Sequence, residues 1–433
     1  MEKVKSFIDR EIGLEADTLV LVALSGGADS TALLLIMKEL GYRLHALHCN
    51  FHLRLEESDR DQAFVEELSG QHGVPLSVRH FETGNFAREH GMSIEMAARE
   101  LRYGWFREEL HGRPGCCVAV GHHGDDQAET LLLNLLRGTG IRGLAGMQPR
   151  RDGIIRPLLC LSREEILRYL TRRGQSYVTD STNRERICQR NRIRLDLVPL
   201  LREMNPHAAR HLCLAGDSVR QSIPYYMKGI EAAFRENGIT ADSFPLKALP
   251  SPPLLHEWLA GKGFSRAEEE EMCRAREGSV GRMWHSETHA VLLDRQALLL
   301  APLGQTHAAP RLSGEIVPSI GETGTGIAYF DADLLTAPLE VRPVGEGDAF
   351  VPLGMKGRKL ISDFLTDRKV NRFRKAEVFV LTCGEDIVWL IGYRSDNRFR
   401  VTEKTRRILK LTCLPSGKPS SCSHPEGCSP SFL

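Results

Sequence analysis

The hydrophobic pattern changes character along the chain. Near the N-terminus, Leu19-Val20-Leu21-Val22-Ala23-Leu24 is apolar at every position rather than at alternate ones. That predicts a strand buried on both faces, as in a parallel sheet. Two glycines later, Thr31-Ala32-Leu33-Leu34-Leu35-Ile36-Met37 reads as the first turns of a buried helix. Leu44–Cys49, Leu76–Phe81 and Cys116–Val120 repeat the strand pattern. Between them lie stretches predicted as helices: an acidic one over about 57–72, Ser93–Leu110 with Ser93 as N-cap, and Asp125–Arg137. This βαβα rhythm predicts a parallel sheet with right-handed crossovers, and such sheets bind ligands at the carboxyl ends of their strands.

Beyond Leu201 the pattern turns helical over Ala208–Ala233, then helix-rich and finally strand-like up to about Pro302. Gly314–Gly326 is expected to be a linker, and Ile327–Thr412 a compact α+β domain. The expected plan is a catalytic domain over 1–205, a mainly helical middle domain over 206–325, a small α+β domain over 326–412 and a disordered tail over 413–433. A length of 433 residues accommodates that division. No run of apolar residues is long enough to span a membrane. Eleven cysteines, an odd number without a disulfide framework, point to reduced thiols and a cytoplasmic setting.

Net charge is only +1, so the whole-chain balance does not mark a nucleic-acid binder. Its distribution does more. Five arginines and one glutamate fall within Arg184–Arg194, and eight basic against two acidic residues within Lys356–Lys375. Two such runs favour a polyanionic substrate over a merely solvated surface.

The chemistry concentrates at the predicted strand ends. Ser25-Gly26-Gly27-Ala28-Asp29-Ser30 joins the first strand to the first helix. Glycines there allow a sharp turn, and the helix N-terminus favours a phosphate. The loop lacks the lysine of a Walker A motif. An acidic residue in a phosphate cradle makes sense if a divalent cation, Mg²⁺, bridges Asp29 to the phosphates; the structural alternative is a helix cap. Gly121-His122-His123-Gly124-Asp125-Asp126-Gln127-Ala128-Glu129-Thr130 likewise sets imidazoles and carboxylates on a strand-to-helix turn. These could hold Mg²⁺ or an incoming ammonium, or Asp125 or Asp126 could simply cap the helix. Arg99 and Arg102 share a helix face, as a functional pair or as ordinary salt-bridge formers. Gly138–Gly143 has the GxGxxG form but follows a helix, so it is expected to be a loop. A metal site from His45, His48, Cys49 and His52 is disfavoured because a strand alternates its faces.

The Ser25–Ser30 segment resembles the PP-loop of the ATP pyrophosphatase superfamily, which implies a doubly wound parallel sheet, ATP and Mg²⁺. More narrowly, His48-Cys49-Asn50-Phe51-His52-Leu53-Arg54, Ala98–Tyr103, Gly121–Thr130, Asp180-Ser181-Thr182-Asn183 and Arg190-Asn191-Arg192-Ile193-Arg194 resemble the tRNA(Ile)-lysidine synthetase family. So do Arg342–Gly354, Gly357–Phe364 and Lys369-Val370. Likeness is dense over 18–201, thin over 202–335 and clear again over 340–405. Cys49, Phe51 and Leu55 depart from the usual family residues, at positions without an assigned chemical role.

The resemblance implies adenylation of the wobble cytidine of a tRNA(Ile) with a CAU anticodon, followed by displacement of AMP by L-lysine. It implies ATP binding by Ser25, Gly26, Gly27, Ala28, Asp29 and Ser30, with Asp29 toward Mg²⁺. Catalysis would fall to Asp29, Arg102, His122 and Asp126. Contact with tRNA would fall to Arg190, Asn191, Arg192, Arg194, Arg358, Lys359 and Lys369. A tRNA-thiolating PP-loop enzyme is the alternative, disfavoured because no CxxC pair occurs. The sequence leaves the oligomeric state open, a homodimer included.

Overall fold

The computed structural model describes residues 1–53, 55–179, 189–275, 280–304 and 308–414. Arg54, Asp180–Cys188 and the tail from Pro415 therefore lie outside the described residues, including the Asp180–Asn183 motif. The chain forms two compact units, Met1–Met227 and Lys228–Leu433. Among the described residues no helix is long and apolar enough to cross a membrane.

The first unit runs α1 (Glu2–Phe7), β1 (Leu19–Ala23), α2 (Ala28–Glu39), β2 (Arg43–Asn50), α3 (Leu55–Gln71), β3 (Leu76–His80), α4 (Thr83–Glu89), α5 (Ile94–Gly112), β4 (Cys117–Ala119) and α6 (Gly124–Leu136). It continues through α7 (Ile141–Leu144), β5 (Arg150–Arg151), β6 (Ile154–Ile155), α8 (Arg163–Arg172), α9 (Gln189–Arg192) and α10 (Val198–Met204). The sheet order is β3-β2-β1-β4-β6-β5, parallel except for the β5–β6 hairpin.

Alternation along the strands explains the unbroken apolar runs. Val20, Val22, Ala46, Cys117 and Ala119 pack with α1, α2, α3 and α8 on one face. Leu21, Leu47, Val118 and Val120 pack with Trp105 and Phe106 of α5 on the other. With both faces covered, both parities of β1 and β4 are apolar. Each buried aliphatic contributes about 1.5–3 kcal/mol, so β1 and α2 firmly anchor the loop between them. Strand order reverses at β1, which leaves a crevice beyond the carboxyl ends of β1 and β4.

Gly138–Gly143 is not wholly a loop: Ile141–Leu144 closes one helical turn, and Asn134 Nδ2 donates to the Gly143 carbonyl at 2.8 Å.

Helix α11 (Ala208–Asn237) runs from the first unit into the second. The second unit continues through β7 (Ser243–Pro245), α12 (Pro252–Leu259), α13 (Arg266–Arg274), β8 (Met283–His285), β9 (His289–Leu293) and β10 (Ala297–Pro302). These strands form an antiparallel sheet in the order β7-β10-β9-β8. Then follow β11 (Arg311–Val317), β12 (Ile327–Asp331), β13 (Leu339–Pro343), β14 (Ala349–Phe350), β15 (Lys359–Leu360), α14 (Ile361–Asp367) and α15 (Arg372–Ala376). The last strands are β16 (Phe379–Cys383), β17 (Asp386–Leu390), β18 (Arg394–Ser395) and β19 (Ile408–Leu414).

Here the linker expected over 314–326 is corrected in its first four residues. Arg311–Val317 is a strand paired along its whole length with β19. Its glycine serves close approach rather than flexibility: a Cβ on Gly314 would lie 3.0 Å from Leu411 Cδ2.

Candidate active site

Helix α2 grows out of β1 through a tightly braced loop. Gly27 is its N-cap, and Gly26 sits at φ +84°, a conformation that favours glycine. Ser30 Oγ accepts from Ser25 N at 3.2 Å and donates to the Gly27 carbonyl at 3.0 Å. The Thr31 hydroxyl and Val178 N both donate to the Gly26 carbonyl, at 3.2 and 2.9 Å. The serines and glycines thus hold one another in place, with a buried helix N-terminus behind them. That is the donor arrangement of an anion cradle, and it fits the phosphates of ATP.

The turn after β4 closes on this loop. A Cβ on Gly121 would lie 3.1 Å from Asp29 C and Ser30 N, so only glycine lets the two loops approach. His123 is the N-cap of α6, and its N–H donates to Asp126 Oδ2 at 3.0 Å. His123 Nε2 lies 3.4 Å from Asp126 Oδ2 and 3.7 Å from Asp29 Oδ1, between the two carboxylates. Asp29 also pairs with Arg163, whose N–H donates to Asp125 Oδ2 at 2.6 Å.

One turn further along α6, Glu129 is buried and faces two arginines. Arg194 Nε donates to Glu129 Oε1 at 2.6 Å and its Nη2 to Oε2 at 2.9 Å, while Arg190 Nε donates to Oε2 at 3.1 Å. Arg194 Nη2 also donates to Asp126 Oδ1 at 3.1 Å. Charge-assisted forks of this kind fix both partners.

Burial pushes the His122 imidazole down to about 4, outweighing the attraction of Asp126, and Arg156, Arg190 and Arg99 push the same way. His122 is therefore neutral at pH 7. Burial alone would raise the Asp126 carboxyl, but His123, its backbone N–H, His122 and Arg190 hold it below its ordinary value. A neutral base thus stands beside a fixed negative charge, two groups whose environments drive them apart. Among the described residues, His122 Nδ1 and Arg156 Nε are buried without a hydrogen-bond partner, an arrangement that suits a polar ligand.

Ser25–Ser30, His122 and Asp126 thus lie on the two loops that meet at the ends of β1 and β4. Arg102 is exposed on α5 with its guanidinium 5.2 Å from the Phe51 ring, while the cation felt at His122 from the same helix is Arg99. Arg190 and Arg194, expected on RNA, have their guanidinium groups on Glu129 and Asp126. Arg192, Arg358 and Lys369 are exposed, and Lys359 pairs with Asp367. Asn191 lies partly buried in α9. Arg163, Glu129 and Arg156 were missed. Arg163 lies within a Ser162–Glu165 capping box, the one sequence signal that could have located it at a helix start.

Among the described residues no cluster of three or more His, Cys, Asp or Glu is arranged to hold a metal alone. A single carboxylate beside a phosphate cradle instead fits a Mg²⁺ held mainly by phosphates and water. His45 and His48 are engaged elsewhere, with the Ser77 hydroxyl and the Leu24 carbonyl, both at 2.8 Å.

Residues 1–201 match a PP-loop domain family, 235–303 a TilS substrate binding domain and 339–411 a TilS substrate C-terminal domain. A tRNA(Ile)-lysidine synthase of Parabacteroides distasonis is 43% identical, with 95% of this chain and 99% of that protein covered. One of Bacteroides thetaiotaomicron is also 43% identical, over 94% and 98%. Among solved structures, a U34-tRNA thiolase from Methanococcus maripaludis is similar over 50% of this chain and 77% of that one, at 18% identity and a TM-score of 0.43. The motifs of both loops sit inside an alignment that runs nearly end to end, and the chain belongs to the tRNA(Ile)-lysidine synthase family.

Proposed function

We propose that this enzyme attaches L-lysine to C2 of the wobble cytidine in a tRNA(Ile) with a CAU anticodon, consuming ATP and forming lysidine. The observation that carries this is the meeting of two loops at the ends of β1 and β4. One is an anion cradle, and the other holds a neutral imidazole and a charged carboxylate.

In the first step the cytidine C2 oxygen attacks the α-phosphorus of ATP, and the bond to the β-phosphate breaks to release pyrophosphate. Ser25–Ser30 and the α2 N-terminus hold the phosphates as charge shifts between them. Asp29 would hold Mg²⁺, which supplies further charge neutralisation there. In the second step the lysine amine attacks C2, the C2–O bond breaks, and AMP departs with the oxygen. Asp126 attracts and orients the ammonium. His122, neutral at working pH, takes the proton that the nitrogen must lose. Arg102 steadies the adenylated intermediate, and Arg190 and Arg194 keep Asp126 and Glu129 in register.

Asn191 and Arg192 of the first unit, and Arg358, Lys359 and Lys369 of the second, contact the tRNA. The division at 205 into catalytic and middle domains belongs to the same reading, with the C-terminal domain taken to begin at β11, the partner of β19, rather than at 326; a homodimer is one assembly to test.

Thiolation is disfavoured by thiol chemistry. Burial pushes Cys49 and Cys117 up to about 12, opposite to the direction a sulfur-transferring thiol needs. The test is incorporation of labelled lysine into the CAU transcript in the presence of ATP and Mg²⁺, with equal release of pyrophosphate and AMP. A transcript with U at the wobble position should take up none. No incorporation by folded, ATP-binding enzyme would overturn the reading.

A further inference from the structure

Phe51, one of the departures from the family pattern, stands under Arg102. Its ring stacks on Phe81 with centroids 5.5 Å apart and planes 20° apart, and Phe81 meets Trp105 edge-on at 6.3 Å. The Arg102 guanidinium carbon lies 5.2 Å from the Phe51 centroid. The result is a column that starts in the core, where Trp105 is 5% exposed, and ends in an exposed cation.

The turn carrying Phe51 is pinned on several sides. The Thr83 hydroxyl donates to the Phe51 carbonyl at 3.0 Å, and Phe81 N donates to the Asn50 carbonyl at 2.9 Å. Buried Asn50 accepts from His52 N at 3.0 Å and donates to Gln62 Oε1 at 2.9 Å. His52 sits in the left-handed region at φ +49°, where its ring stacks on His80. Such a conformation is unfavourable for a non-glycine residue and persists only where the surroundings enforce it. A surface held this rigidly, ending in a planar cation over an aromatic ring, has the chemistry of a base-stacking platform.

We propose that the Phe51-supported guanidinium of Arg102 stacks against an unpaired nucleobase of the tRNA anticodon loop, with Phe51 as the residue that positions it. The inference rests on the lysidine reading above. A nucleobase could also come from ATP, and the RNA is favoured because the column opens outward at the ends of β2 and β3. The ATP cradle belongs to β1.

The test uses the full chain and an anticodon stem-loop in which 2-aminopurine replaces the adenine of CAU. Wild type should quench the fluorophore on binding. Phe51→Leu should lose most of the quench and bind the stem-loop about fivefold or more weakly, the scale of one lost stacking interaction. Its ATP affinity should be unchanged. Phe51→Tyr should restore both readouts, while Arg102→Lys, which keeps charge but not the plane, should not restore the quench. Equal quenching by wild type and folded Phe51→Leu would overturn the proposal. So would weakened ATP binding with unchanged quenching, which would assign the platform to adenine. If Phe51→Leu does not fold, an unchanged quench in Arg102→Lys overturns it alone. Failure of the lysidine reading would register separately, as absent lysine incorporation by wild type.

Discussion

The depressed basicity of His122 has a thermodynamic consequence that can be measured without substrate. In the folded chain the imidazole titrates at about 4, against 6.5 for the free group. Between those values the unfolded chain binds a proton that the folded chain refuses, so stability falls as pH drops from 6.5 toward 4 and is fully present only above 6.5. A gap of that size corresponds to about 3 kcal/mol in all, at 1.36 kcal/mol per pH unit. About 2 kcal/mol of it is lost between pH 7 and pH 5. Asp126 acts in the same direction but in a separate window, because its carboxyl is held below 3.8 and its contribution disappears only at lower pH. Substituting His122→Asn removes the titrating group. Trp105 is the only tryptophan in residues 1–227, so a full-length chain with Trp258, Trp284 and Trp389 replaced by Phe reports on this unit. Urea unfolding followed by its fluorescence should show the wild-type chain losing about 2 kcal/mol more than His122→Asn from pH 7 to pH 5. Equal losses would refute the claim that burial depresses the His122 imidazole.

Other expectations follow from the same contacts. Glu129→Gln takes from Arg194 and Arg190 their nearer charged acceptor and leaves them Asp126, at 3.1 and 3.5 Å. Since each guanidinium remains about a third exposed to water, the cost should be about 1–2 kcal/mol, read as a drop of roughly 3–6 °C in the thermal midpoint. Gly121→Ala puts a methyl 3.1 Å from the backbone of Asp29 and Ser30. It should weaken ATP binding in calorimetry by about tenfold while leaving the fold intact, a loss of about 1.4 kcal/mol. Charge reversal at Arg358 and Lys369 should reduce tRNA affinity in filter binding and flatten its salt dependence by roughly one unit of slope per lost phosphate contact. Cys116→Ser with Cys117→Ala should retain lysine incorporation, whereas a sulfur-carrying mechanism would lose it.

What the sequence disclosed and what it hid have physical causes. Val20 and Leu21 belong to opposite faces of one strand and both are apolar, so the run itself reports a sheet covered on both sides. The loop at Ser25–Ser30 was legible because its chemistry is local: glycine, hydroxyl and helix start are consecutive. Contacts between distant positions left no comparable trace. Nothing in the string Arg190–Arg194 distinguishes arginines that grip RNA from arginines that fork onto Glu129, about sixty residues earlier. Gly314 carried the composition of a linker, yet its missing side chain admits Leu411 from a strand almost a hundred residues later. Their i, i+3 spacing sets Arg99 and Arg102 on one helix face, yet they reach different neighbours, Tyr103 and Phe51.

The central claim is that lysine becomes bonded to the wobble cytidine. Its most direct test is mass spectrometry of the nucleosides released from the CAU-bearing tRNA after incubation with enzyme, ATP, Mg²⁺ and isotopically labelled lysine. One new nucleoside is expected, a cytidine enlarged by lysine with loss of water and carrying the label, in place of the wobble cytidine. An unchanged cytidine, or one that has gained sulfur from an added donor instead, would contradict it.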